Sequence, residues 1–200
     1  MGYDHVVERL DPVAVNADDP VLNPVFDVFR NGGRDVPMLY RLLGNSPAML
    51  EAWVGLAWPL RSKPTTSRAL RELLIMQIAV LTRASFEWQA HWPAALKAGV
   101  TPAQLAALGN WSSSDLFDSP AKAALRCGDE MIANGGASAD AVAALRSYFN
   151  DGECIELILT LAFYSCVSHV LLTIGIDANS EAHGDVSDEC VATYAALTAP

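Results

Sequence analysis

The chain has 200 residues, 52% of them apolar and 18% charged, and a formal net charge of −10. That composition excludes a disordered chain and suits one domain, or one domain with an arm, large enough to bury a core. The acidic balance excludes nucleic acid and anionic membrane surfaces as expected partners, because their phosphates repel it.

The first residues, MGYDHVVERLDP, lack the apolar run of a secretory signal, so a cytoplasmic location is expected. Residues 1–45 are rich in Pro, Gly, Asn and Asp and read as an N-terminal arm with short helical pieces at Pro24–Phe29 and Val36–Leu43. A helical domain is expected over 46–200. Ser46-Pro47 supplies an N-cap and a first-turn proline for a helix to about Leu60. Pro64 to Ser67 open the next one, where Leu70, Leu73, Leu74, Gln77, Ile78 and Leu81 recur at helical spacing. Ile75, Met76, Ala79 and Val80 fill most other positions, so this is a central helix, and Glu72 is the odd residue on it.

Thr82-Arg83 marks a short break that folds the next helix, Ser85–Lys97, back as an antiparallel hairpin, with Gly99 as its stop. Thr101-Pro102 opens a further helix, and Trp111 to Ser119 form a polar loop. Ser119-Pro120 caps a helix to about Ala133, and Ser138 caps another to about Phe149. The long helix after Asp151-Gly152 ends near Gly175. Glu156, Ser165, Ser168 and His169 interrupt its apolar stretch, so it reads as a buried core helix rather than a membrane span. A last amphipathic helix is expected over Val186–Leu197. No run has strand character, and the fold class is all-α.

Glu87 and His91 lie one helical turn apart, which puts both side chains on one face. A carboxylate beside an imidazole orients the ring, fixes its tautomer and raises its basicity, which suits general acid–base work near neutral pH. Phe86, Trp88 and Trp92 give the pair an apolar setting. Glu72, on a buried helix, needs a partner: across the hairpin it can face this pair, or near the helix start it can cap backbone amides or pair with Arg68 or Arg71. Arg61, Lys63, Arg68 and Arg71 read either as a solvated helix start or as a pocket mouth that attracts anions. Arg71, Trp88, Tyr164 and His169 are the candidate substrate-binding residues, although Tyr164 and His169 also read as core. Cys127, Cys154, Cys166 and Cys190 show no C-x-x-C or zinc spacing, so buried reduced thiols are expected, and no metal site.

The stretch RALRELLIMQIAVLTRASFEWQAHWPAALKAGVTPAQLAAL resembles the core of the carboxymuconolactone decarboxylase / alkylhydroperoxidase D-like (AhpD-like) superfamily. The resemblance rests on Arg71-Glu72-Leu73-Leu74, Glu87, His91, Ala95, Ala98-Gly99-Val100 and Thr101-Pro102, and extends over about Pro37 to Asp177. It implies an AhpD-like helical bundle with a central hairpin, assembled as a homo-oligomer (dimer, trimer or hexamer). The low share of charge fits such burial between copies.

The peroxidase branch of that family carries a C-x-x-C pair where this chain has Ala84 and Glu87, so a thiol peroxidase is not expected. The decarboxylase branch lacks those cysteines and has a Glu and a His at the positions of Glu87 and His91. The resemblance therefore implies a cofactor-free lyase acting on a small organic acid or lactone. His91 would be the general acid/base, Glu87 would orient it, and Glu72 would be the second acid. The stretch from about Ser113 to Phe149 reads as an insertion relative to compact decarboxylases. A helical binding oligomer without catalysis is the remaining alternative.

Overall fold

A computed structural model describes residues 10–16, 18–178, 180 and 186–199. Among them the chain is all-helical: α1 (Leu22–Arg30), α2 (Met38–Leu43), α3 (Pro47–Ser62), α4 (Arg68–Leu81), α5 (Ser85–Ala98), α6 (Pro102–Ala106), α7 (Ser119–Asn134), α8 (Ala139–Arg146), α9 (Asp151–Ile174) and α10 (Asp188–Leu197). A single 3₁₀ turn at Leu108–Asn110, not expected from the sequence, follows α6. His5 and His183 lie outside the described residues.

The described residues form two compact units. The first takes those up to Lys63 and those between Leu171 and Ala182; the second takes Pro64–Val170 and those after His183. The division therefore falls after Lys63, not at the boundary expected after residue 45. In the first unit α1 and α2 pack on α3. Leu22, Val25, Phe26 and Phe29 of α1 close on Val36, Tyr40, Leu50 and Val54. The expected arm thus has a core of its own, and α3 belongs with it. The capping signal at Ser46 marks where a helix begins but not what it packs against, and its hydroxyl makes no cap bond.

In the second unit α4 packs on α5 and on α7, α8 packs on α7, and α10 lies over α5 and α6. Ser67 caps α4 by accepting the Leu70 amide. The hairpin turn is a Schellman close: Arg83 N–H donates to Val80 O and Ala84 N–H to Ala79 O. Arg83 occupies the left-handed region at φ 60°. Gly99, at φ 100°, ends α5 by the same motif, with Val100 N–H donating to Ala95 O. Asp118, not Ser119, caps α7 through the Ala121 amide.

By length and composition α9 could cross a membrane, and 44% of its most apolar window is buried. It is not the enclosed core helix expected: Leu157, Leu161, Tyr164 and Val167 face inward, while Ile155 is 55% exposed and Leu159 is also open. An even spread of apolar residues around a helix does not reveal which face is covered.

Candidate active site

Glu72 is wholly buried, although its neighbours on α4 are almost all apolar. It keeps its charge because both oxygens are engaged. Oε1 is ion-paired with the Arg68 guanidinium one turn earlier, and Oε2 lies 2.8 Å from Nδ1 of His91 on α5. The hairpin close makes this reach possible, because it sets α5 antiparallel beside α4. Glu87, one turn before His91, places Oε1 3.2 Å from the other ring nitrogen, Nε2. The imidazole is therefore held between two carboxylates, one on each nitrogen, a setting that suits the doubly protonated ring. Tyr164 of α9 closes the remaining side, edge-on to the ring at 5.0 Å between centroids.

Burial acts against a charged His91, but the Tyr164 oxygen and the Glu72 and Glu87 carboxylates outweigh it and raise its pKa well above the ordinary imidazole value. Burial likewise acts against the Glu72 carboxylate, and the hydrogen bond and charge of His91, with Arg68, hold its pKa below the ordinary value. Only 8% of His91 is exposed, so solvent screens this triad weakly.

The sequence-derived candidates divide. His91, Glu87, Glu72 and Tyr164 come together. Both acids reach the ring: Glu72, from the facing helix, hydrogen-bonds Nδ1, and Glu87, expected to orient the ring, faces Nε2. Arg71 is buried, and its Nη1 donates to the Thr66 carbonyl and hydroxyl. Burial and the nearby Arg68 lower its pKa. It anchors the start of α4 together with Glu156, whose carboxylate accepts the Thr65 and Thr66 amides at 2.9 and 2.8 Å. Trp88 is completely enclosed; its indole N–H donates to Cys190 O, and it packs on Trp92 and Tyr194. It serves the seat of α10 rather than a binding surface.

His169 is exposed, not a core histidine, and its Nδ1 sits 2.6 Å from the Ser165 carbonyl of its own helix. Arg68, one of the two local partners offered for Glu72, does pair with it, while Glu72 also reaches His91 across the hairpin. Cys127, Cys154 and Cys190 are buried as expected, and burial pushes the Cys127 and Cys190 thiols up to about 11. Cys166 is exposed, contrary to expectation. Ala84, at the first peroxidase cysteine position, is buried. Among the described residues no group of three or more His, Cys, Asp or Glu is placed to hold a metal ion.

Residues 47–130 match the carboxymuconolactone decarboxylase family. Over that span, somewhat under half of the chain, the sequence is similar to this family. The match includes α4, α5 and the Glu72–His91–Glu87 triad. It also runs into α7, part of the stretch that the sequence reading treats as an insertion. No curated protein matches the chain.

Solved structures of similar fold include an uncharacterized peroxidase-related protein with an alkylhydroperoxidase AhpD core from Ralstonia eutropha JMP134. It has a TM-score of 0.71 at 17% identity, over 98% of this chain and 100% of that one. A peroxidase-related protein from Silicibacter sp. TM1040 aligns with a TM-score of 0.70 at 18% identity, over 90% and 98%. A cysteine-to-alanine form of the debrominase Bmp8, in complex with 2,3,4-tribromopyrrole, aligns with a TM-score of 0.68 at 17% identity, over 97% and 100%. At such identities the shared property is the fold.

Proposed function

We propose that the chain is a carboxymuconolactone-decarboxylase-like lyase that delivers a proton from His91 to a small unsaturated lactone acid or related organic acid. The observation that carries this reading is the imidazole held between the Glu72 and Glu87 carboxylates in a buried setting. Two carboxylates favour the charged ring, and in this reading His91 acts as a general acid. Glu72, backed by Arg68, fixes the ring through Nδ1, which leaves Nε2 as the donor. Glu87 stabilises the charged ring until the transfer.

In the reaction the bond from carbon to carboxylate breaks and carbon dioxide leaves. The electron pair passes into the conjugated lactone carbonyl, and the Nε2 proton closes the new C–H bond. Water then restores the proton to His91. The electron sink is the substrate itself, so no cofactor enters this reading.

A thiol peroxidase is disfavoured, because the C-x-x-C positions hold Ala84 and Glu87 and three of the four thiols are buried. The test is carbon dioxide release from a panel of carboxylated unsaturated lactones and β-keto acids. His91→Gln should lower kcat by about 10²–10⁴. A folded wild-type protein that releases no carbon dioxide from any of them, or a His91→Gln variant that matches wild type, ends the reading.

A further inference from the structure

On the second unit, away from the triad, a cleft of about 350 Å³ opens between the C-terminal half of α4, the 3₁₀ turn and α7. That volume suits a small organic molecule. Its walls are apolar, with Val80, Leu81, Leu108 and Ala133 among them, and Asp129 is its charged residue. The Asp129 carboxylate has no cationic partner among the described residues. Its contacts are two neutral donors: the Gln77 amide to Oδ1 at 2.7 Å and the Trp111 indole N–H to Oδ2 at 2.8 Å.

These bonds hold the carboxylate in a set orientation but leave its charge uncompensated. Gln77 is itself nearly fully buried, and its amide nitrogen is also bound to Leu125 O at 2.8 Å, so the support is rigid. The C-terminal ends of α4 and α7 border the same cleft and add partial negative charge. Burial raises the Asp129 pKa against the two N–H bonds that lower it, consistent with a carboxylate short of compensation.

We infer that this cleft is a second ligand site, which takes a small organic ammonium: its N–H groups pair with Asp129 and its apolar body lies against Trp111 and the aliphatic walls. The free lone pairs of a carboxylate already bound by two donors accept such a group without moving either. The site stands independently of the chemistry at His91.

The test titrates benzylammonium and neutral benzyl alcohol separately into the full-length protein. The readout is the Trp111 indole N–H resonance, assigned by its loss in Trp111→Phe. The expected result is a saturable shift with benzylammonium, at about tenfold lower concentration than with benzyl alcohol. Asp129→Asn, which keeps the shape and removes the charge, should abolish that preference. Ala133→Phe, at the rim, should block the cleft with Asp129 intact, which keeps the test available if Asp129→Asn does not fold. Equal affinity for the two probes, no saturable shift at Trp111, or undiminished binding in Ala133→Phe overturns the inference.

Discussion

Glu72 meets His91 from the opposite arm of the hairpin, with Oε2 2.8 Å from Nδ1, and this bond acts with Glu87 on the charge of the ring. Replacing Glu72 with Gln keeps the size and a hydrogen-bonding oxygen but removes the negative charge. The His91 pKa should then fall toward the ordinary imidazole range, read from its ring Cε1–H resonance by NMR. The buried site also loses the charge that Arg68 pairs with, so stability should fall by about 1–3 kcal/mol, read by urea unfolding. An unchanged His91 titration would remove Glu72 from the orienting role.

The triad makes stability depend on pH in a defined direction. The folded state holds the His91 proton more tightly than the unfolded chain does. This contribution is fully present below the ordinary imidazole pKa of about 6.5 and is lost as pH rises through the higher folded value. Glu72 works in the opposite window: its contribution is present above the ordinary carboxylate value and is lost as pH falls through the lower folded value. The wild-type Tm should therefore decline on the alkaline side, above about pH 6.5, more steeply than that of His91→Gln. Parallel curves for the two proteins would contradict the assignment.

What the sequence could disclose follows the reach of each signal. The hairpin was legible because the apolar α4 pattern, the Thr82-Arg83 break and Gly99 are local marks, and Glu72 stood out as a charge on a buried helix. The positions of Arg71 and Trp88 were not, because whether a side chain near an end or an edge faces water depends on what packs there. That α3 packs with α1 and α2 is hidden for the same reason: a cap reports a start, not a partner. Gln77 carries a signal of the same kind. It is a polar side chain on a helix apolar nearly all round, as Glu72 is, and it leads to the Asp129–Trp111 network.

That network predicts a strict glycine. Gly128 of α7 lies against Gln77, and a Cβ there would collide with the Gln77 side-chain oxygen and lie 3.1 Å from Leu161 Cδ2. Gln77 cannot easily retreat, because its amide nitrogen is bound to Leu125 O and Asp129. Gly128→Ala should therefore cost about 1–3 kcal/mol, despite alanine's better helix propensity. Urea unfolding measures this, and a neutral or stabilising result would mean that the α4–α7 contact yields freely.

Arg83 predicts the opposite sign. It is the left-handed residue of the Schellman close between α4 and α5, at φ 60°, where its Cβ is crowded and glycine's absence of one is favoured. Its backbone N–H, not its side chain, makes the bond to Val80 O. Arg83→Gly keeps that bond and relieves the crowding, at the cost of a more flexible unfolded chain. The balance should raise stability by about 1 kcal/mol, seen as a higher Tm at neutral pH. Because the turn fixes how α5 returns along α4, the Glu72–His91 bond should survive, and the His91 resonance should titrate as in wild type. A lower Tm would show that the Arg83 side chain contributes more to the hairpin than its strained backbone takes away.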